Sequence, residues 1–85
     1  MRLIVSDTGE AVGLAQLYLS APEARRLVKE LEALLEDPEA NEHFHLFSED
    51  NGCVLSCSIV TRAKLASGSY TPAERRAFDS WKPKP

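Results

Sequence analysis

Residues 20–38, SAPEARRLVKELEALLEDP, carry a helix signal bounded at both ends, and the rest of the chain has to be arranged around it. Ser20 and Glu23 have the spacing of a capping box, in which the Ser20 hydroxyl accepts from the N–H of Glu23 and the Glu23 carboxylate reaches back to that of Ser20. Pro22 sits in the first turn, where no N–H partner is lost. Ala24, Leu27, Val28, Leu31, Leu34 and Leu35 follow the helical stripe, while Arg25, Arg26, Lys29, Glu30, Glu32 and Glu36 take the wet side. Pro38 stops the run. A helix with one apolar stripe needs a cover, and the sequence offers β-type segments on both sides of it.

Downstream, HFHLFSED (43–50) and CVLSCSIVT (53–61) are joined through Asn51-Gly52, the dipeptide of a two-residue type I′ hairpin. That turn sets a register in which Ser48 faces Leu55, Leu46 faces Cys57 and Phe44 faces Ile59. On the other face Phe47 meets Ser56, His45 meets Ser58 and His43 meets Val60. One face then collects Phe44, Leu46, Leu55, Cys57 and Ile59, a core face. Upstream, MRLIVS (1–6) is short and β-branched, DTGE is turn-forming, and VGLAQLYLS (12–20) alternates Ala15, Leu17 and Leu19 against Gln16 and Tyr18. After Thr61, RAKLASGSY reads as a short helical turn ended by Gly68. TPAE is a second capping box, with Thr71 as cap, Pro72 at the first helical position, and Ala73, Ala77, Phe78 and Trp81 along one side.

The expected fold is therefore α+β in the order β-β-α-β-β-α. It has a mostly antiparallel four-stranded sheet, the long helix packed on one face, and a short C-terminal helix. One domain is expected over residues 1–81, with residues 82–85 a frayed tail. At 85 residues and 44% hydrophobic the chain suits one small domain with a thin core.

The bulk numbers bound the function classes. Cys53 and Cys57, four apart on one strand, lie about 13 Å apart, beyond the roughly 7 Å that a disulfide tolerates. The N-terminal MRLIVSD is too short for a secretory leader, and no run approaches the ~18 apolar residues of a membrane span. A cytoplasmic location without membrane contact is the expectation. Net charge is −3 but unevenly spread: residues 30–61 hold eight acids and no Lys or Arg, and residues 62–85 hold six bases and two acids. The acidic hairpin repels phosphate, so nucleic acid is an unlikely partner. A weak contact through Arg62, Lys64, Arg75, Arg76, Lys82 and Lys84 is the third-ranked reading.

His43 and His45 share a face at about 6.6–7 Å between Cα atoms, a spacing at which two imidazoles can hold one metal ion. A closed zinc site needs four ligands and a catalytic one three plus water. Cys53 and Cys57 fall on the opposite face, leaving only acids such as Glu42 and Glu49 nearby. Ser58 opposite His45 resembles a nucleophile–base pair, but no carboxylate orients the imidazole and no glycine-rich turn offers an oxyanion hole. Cys57, mid-strand on the core face, reads as a small hydrophobe. The plain reading is a polar strand face.

The first functional reading is a non-catalytic interaction module that contacts another protein or itself, without a cofactor. His43, His45 and Phe47 would form its contact face, and Tyr18 would extend it if the first hairpin lay alongside. An immunity- or antitoxin-like role suits a small acidic domain that masks a basic partner. The runner-up is a small metal-dependent enzyme built on His43 and His45.

Overall fold

The computed structural model describes residues 1–79, 81 and 82, and within these the chain divides into two compact units. One unit spans Leu17–Ile59; the other joins Met1–Gln16 to the segment from Val60 onward. The elements run α1 (Ala21–Glu36), β1 (Phe44–Phe47), β2 (Val54–Cys57), α2 (Arg62–Ser67) and α3 (Pro72–Ala77).

The expected four-stranded sheet is not what forms. The described residues contain one two-stranded antiparallel sheet, β1 with β2, and three helices, a small α+β arrangement. Residues 1–6 and 12–20 form no strand. They contribute an isolated antiparallel bridge between Ile4 and Ala11, held by Val5 N–H to Glu10 O (2.9 Å) and Val12 N–H to Leu3 O (2.8 Å). Alternation at positions 15–19 describes a chain able to lie in a sheet, but it names no partner strand. The chain instead passes from one unit to the other after Gln16. Gly9 closes the tight turn at φ +73°, a conformation that favours glycine, and a Cβ there would crowd that of Ala73 at 3.1 Å.

In the Leu17–Ile59 unit, α1 begins as its sequence requires. Ser20 Oγ accepts from Glu23 N–H (3.3 Å), and Glu23 Oε1 accepts from Ser20 N–H (2.8 Å). Past its last turn, Asn41 Nδ2 donates to Ala33 O at 3.2 Å, closing one of the carbonyls the helix end leaves open. The stripe expected to cover the sheet does so only along one edge. Leu34 is buried with Phe44 and Leu46, and Leu27 packs against them beside Leu55, Cys57 and Ile59. Val28, Leu31 and Leu35 remain exposed.

The hairpin register also differs. Phe44 pairs with Cys57, His45 with Ser56, Leu46 with Leu55 and Phe47 with Val54, two residues from the register of a two-residue turn. The connection is a four-residue loop, 49–52. Ser48 N–H donates to Cys53 O (3.0 Å) and Asn51 N–H to Ser48 O (2.9 Å). Side chains hold it: Asp50 Oδ1 accepts from the Ser48 hydroxyl (2.7 Å) and from Gly52 N–H (2.9 Å), and Ser48 Oγ accepts from Cys53 N–H (3.0 Å). Asn51 takes the left-handed conformation at φ 57°, one that Asn tolerates better than most residues. Asn-Gly is thus used as the tail of a longer loop rather than as the whole turn. Because the shift is an even number of residues, every side chain keeps its face.

In the other unit, α2 is capped by Thr61 Oγ1 accepting from Lys64 N–H (3.2 Å) and ends at Gly68 in the left-handed region. The second capping box forms at α3 between Thr71 and Glu74. Phe78 stacks edge-on with Tyr70 (5.1 Å) and Trp81 (5.7 Å), and the Arg2 guanidinium lies 5.1 Å over Trp81. The expected tail at 82–85 falls, from residue 83 on, outside the described residues.

Leu34→Ala or Leu46→Ala removes a side chain from a three-residue buried cluster, an expected loss of about 2–5 kcal/mol that urea unfolding would read. Acid should loosen the same unit. Glu23 is held below its ordinary value by the backbone N–H groups of Ser20 and then of Glu49. Asp50 is held below its own by the Ser48 hydroxyl and then by Gly52 N–H. Depressed carboxylates contribute stability that is fully present above their unfolded values, near pH 4, and is lost as pH falls through the folded ones. The urea midpoint should drop between pH 5 and pH 3, and Glu23→Gln with Asp50→Asn should flatten that drop.

Candidate binding face

The open face of the hairpin is built by strand alternation. His43 precedes β1, and His45 and Phe47 occupy its outward positions while Phe44 and Leu46 point into the core. The structure brings the three together in a row. The imidazoles of His43 and His45 meet edge-on with centroids 4.8 Å apart, and their Nε2 atoms lie 3.2 Å from each other. The Phe47 ring follows at 6.3 Å from His45. Across the ladder, Val54 pairs with Phe47; the two are 53% and 48% exposed, so the face ends in an apolar patch open to solvent.

A hydrogen bond between two Nε2 atoms needs one to carry a proton and the other to present its lone pair. In the neutral pair, one ring is the Nε2–H tautomer and the other the Nδ1–H tautomer. The same separation is close to the edge, about 3.3 Å, of a tetrahedron of nitrogens at 2.0–2.1 Å from one ion. The pair therefore supplies two donors. Among the described residues no group of three or more His, Cys, Asp and Glu is placed to hold a metal ion.

Tyr18 is not part of this row. It lines a groove of about 150 Å³ with Leu17, Leu19, Leu46 and Leu55 among others, and so lies beside core-face residues of the strands. Glu23 and Ser48 supply part of its polar rim. The groove is well below the roughly 300–1,000 Å³ of ligand pockets, and its size suits a single inserted side chain. Alternation alone could not have found it, since the covering segment 17–19 is neither helix nor strand.

The other chemical candidates separate. Ser58 does not face His45; its hydroxyl donates to Glu42 O at 2.7 Å, and Ser56 takes the cross-strand position. Both cysteines are free thiols, and burial pushes that of Cys57 up, away from nucleophilic use. Of the basic residues near the C-terminus, Lys64 is buried, Arg62, Arg75, Arg76 and Lys82 are exposed, and Lys84 lies outside the described residues. No helix among the described residues is long and apolar enough to cross a membrane.

Comparison with known proteins adds no relative: no family model, no curated protein and no solved structure matches the chain.

Long-range 15N–1H spectra of the imidazoles at high pH read the tautomers directly. One histidine should be mostly Nδ1–H, and His43→Ala or His45→Ala should return the remaining ring to the Nε2–H form usual for a free imidazole.

Proposed function

We propose that the chain is a non-catalytic module that binds another protein through the outward face of the β1–β2 hairpin. The observation that carries this reading is the row His43, His45 and Phe47 with Val54 beside it. It combines an exposed apolar patch with two polar rings on a regular, pre-organised surface. Among the described residues neither strand has a second neighbour in the sheet, and with Arg26 already on Phe47 O of β1, an extended segment of a partner would add along the β2 edge while its side chains reach the face. The charge of this unit favours a basic partner: residues 17–59 contain nine acids and three bases. A role in masking such a partner, as immunity proteins and antitoxins do, is consistent with that balance. Free thiols fit a reducing compartment such as the cytoplasm.

A second reading rests on the 3.2 Å separation of the two Nε2 atoms. The pair would hold a zinc or similar ion by two ligands, and a catalytic site would require at least one more donor from elsewhere.

A photo-crosslinking residue placed at position 47 tests the first reading in cells. It should trap a protein that then binds the purified chain, and Phe47→Ala or His45→Ala should each weaken that binding by about tenfold or more, as expected for central contact residues. Binding unaffected by both substitutions overturns the reading. Tight stoichiometric zinc binding that His43→Ala abolishes would favour the second reading.

A further inference from the structure

The exposed side of α1 carries a pattern that the fold of its own unit does not use. At about 100° per residue, Leu27 and Leu34 fall on the edge of the apolar stripe nearest the hairpin. Ala24, Val28, Leu31 and Leu35 fall together on the side rolled away from it. The last three are 54%, 39% and 65% exposed. With Ala21, the spacing 21–24–28–31–35 alternates three and four, the a/d repeat of a coiled-coil seam. It is distinct from the hairpin face and does not depend on the reading given to that face.

The charges beside this seam are segregated along the helix. Arg25, Arg26 and Lys29 lie in the N-terminal half; Glu30, Glu32 and Glu36 lie in the C-terminal half. Glu23 in the first turn suits the helix's own dipole, but Glu36 in the last turn opposes it. The last turn has no basic residue. Arg25 has Lys29 one turn along, and Glu32 has Glu36, like-charge neighbours that further disfavour the isolated helix.

We infer that α1 pairs with α1 of a second copy of this chain, antiparallel, along Ala24, Val28, Leu31 and Leu35. An antiparallel pair sets Val28 of each copy against Leu31 of the other, and Ala24 of each against Leu35. The flanking positions that meet in that orientation are 25 and 32, so Arg25 of each copy faces Glu32 of the other, twice by symmetry. The basic half of one helix then lies over the acidic half of its mate, and the two dipoles oppose. A parallel pair offers none of this: position 25 would meet the cap residue Ser20, and position 32 would meet Leu27, which is engaged with the hairpin of its own unit. A basic peptide or an unrelated apolar helix would match only one half of the charge pattern. A second copy matches both.

Sedimentation equilibrium on the whole chain tests this between about 10 μM and 1 mM, a range suited to a short seam smaller than a standard interface. The expected mass rises from 9.4 kDa toward twice that value. Leu31→Asp, at an exposed site, should hold the chain monomeric with an unchanged far-ultraviolet circular dichroism spectrum. Arg25→Glu and Glu32→Arg should each weaken association roughly tenfold at low salt, because each places like charges across the seam. Yet Arg25→Glu should slightly raise the thermal stability of the monomer, because it turns the like-charge i,i+4 pair Arg25–Lys29 into an opposite-charge one. The double reversal should restore association to near the original strength. A monomer at every concentration, association indifferent to Leu31→Asp, or a double variant as weak as the single ones would each overturn the inference.

Discussion

The Glu23 carboxylate ties the Leu17–Ile59 unit together. Its Oε1 accepts from Ser20 N–H, closing the cap of α1, and its Oε2 accepts from Glu49 N–H in the hairpin loop, each at 2.8 Å. One side chain thus joins the first turn of the helix to the far end of the hairpin. Arg26, nearly one turn on, donates to Phe47 O at 3.1 Å. These two polar anchors set the roll of the helix together with its apolar contacts. A helix held at Glu23 and Arg26 can bring only the Leu27–Leu34 edge of its stripe onto Phe44 and Leu46. The exposure of Val28, Leu31 and Leu35 is the geometric consequence.

What was legible in the sequence was local. Both capping boxes form, because a cap is decided by residues three apart and needs nothing from the rest of the chain. Gly68 ends α2 for the same reason. The hairpin was legible as a hairpin, and its faces were assigned to the right residues along the two strands, though Val60, expected on the open face opposite His43, is buried beyond the end of β2. Its register was not, because the loop is shaped by Ser48 and Asp50 side chains that compete with the turn preference of Asn51-Gly52. The four-stranded sheet failed for a non-local reason. Period-two alternation describes a half-buried ribbon, and residues 12–20 found no strand beside them.

The candidate face shows the same division. That His43, His45 and Phe47 share one side follows from alternation and survives the two-residue shift. The contact of the two Nε2 atoms does not follow from alternation, because it depends on side-chain rotamers. The pairing of His45 with Ser58 depended on register and was lost with it. Tyr18 was placed by analogy with a strand that does not form, and its groove arises from an irregular segment lying on the hairpin.

Six apolar positions over less than half the circumference of a helix look like one core stripe when the partner is a single sheet. Such a stripe is wider than this two-stranded hairpin can cover. A stripe of that width divides into the part the hairpin covers and the part it leaves, and the a/d spacing belongs to the second part. The charges along α1 support the division: Glu23 and Arg26 serve the hairpin through Glu49 N–H and Phe47 O, whereas Arg25 and Glu32 have like-charged neighbours in Lys29 and Glu36 and find opposite charges across an antiparallel copy. A helix that must also meet its own copy head to tail gains twice from the same arrangement. On the proposed readings, the hairpin face and the helix seam sit on different elements of one unit, so pairing of two copies leaves both hairpin faces open and makes the module bivalent.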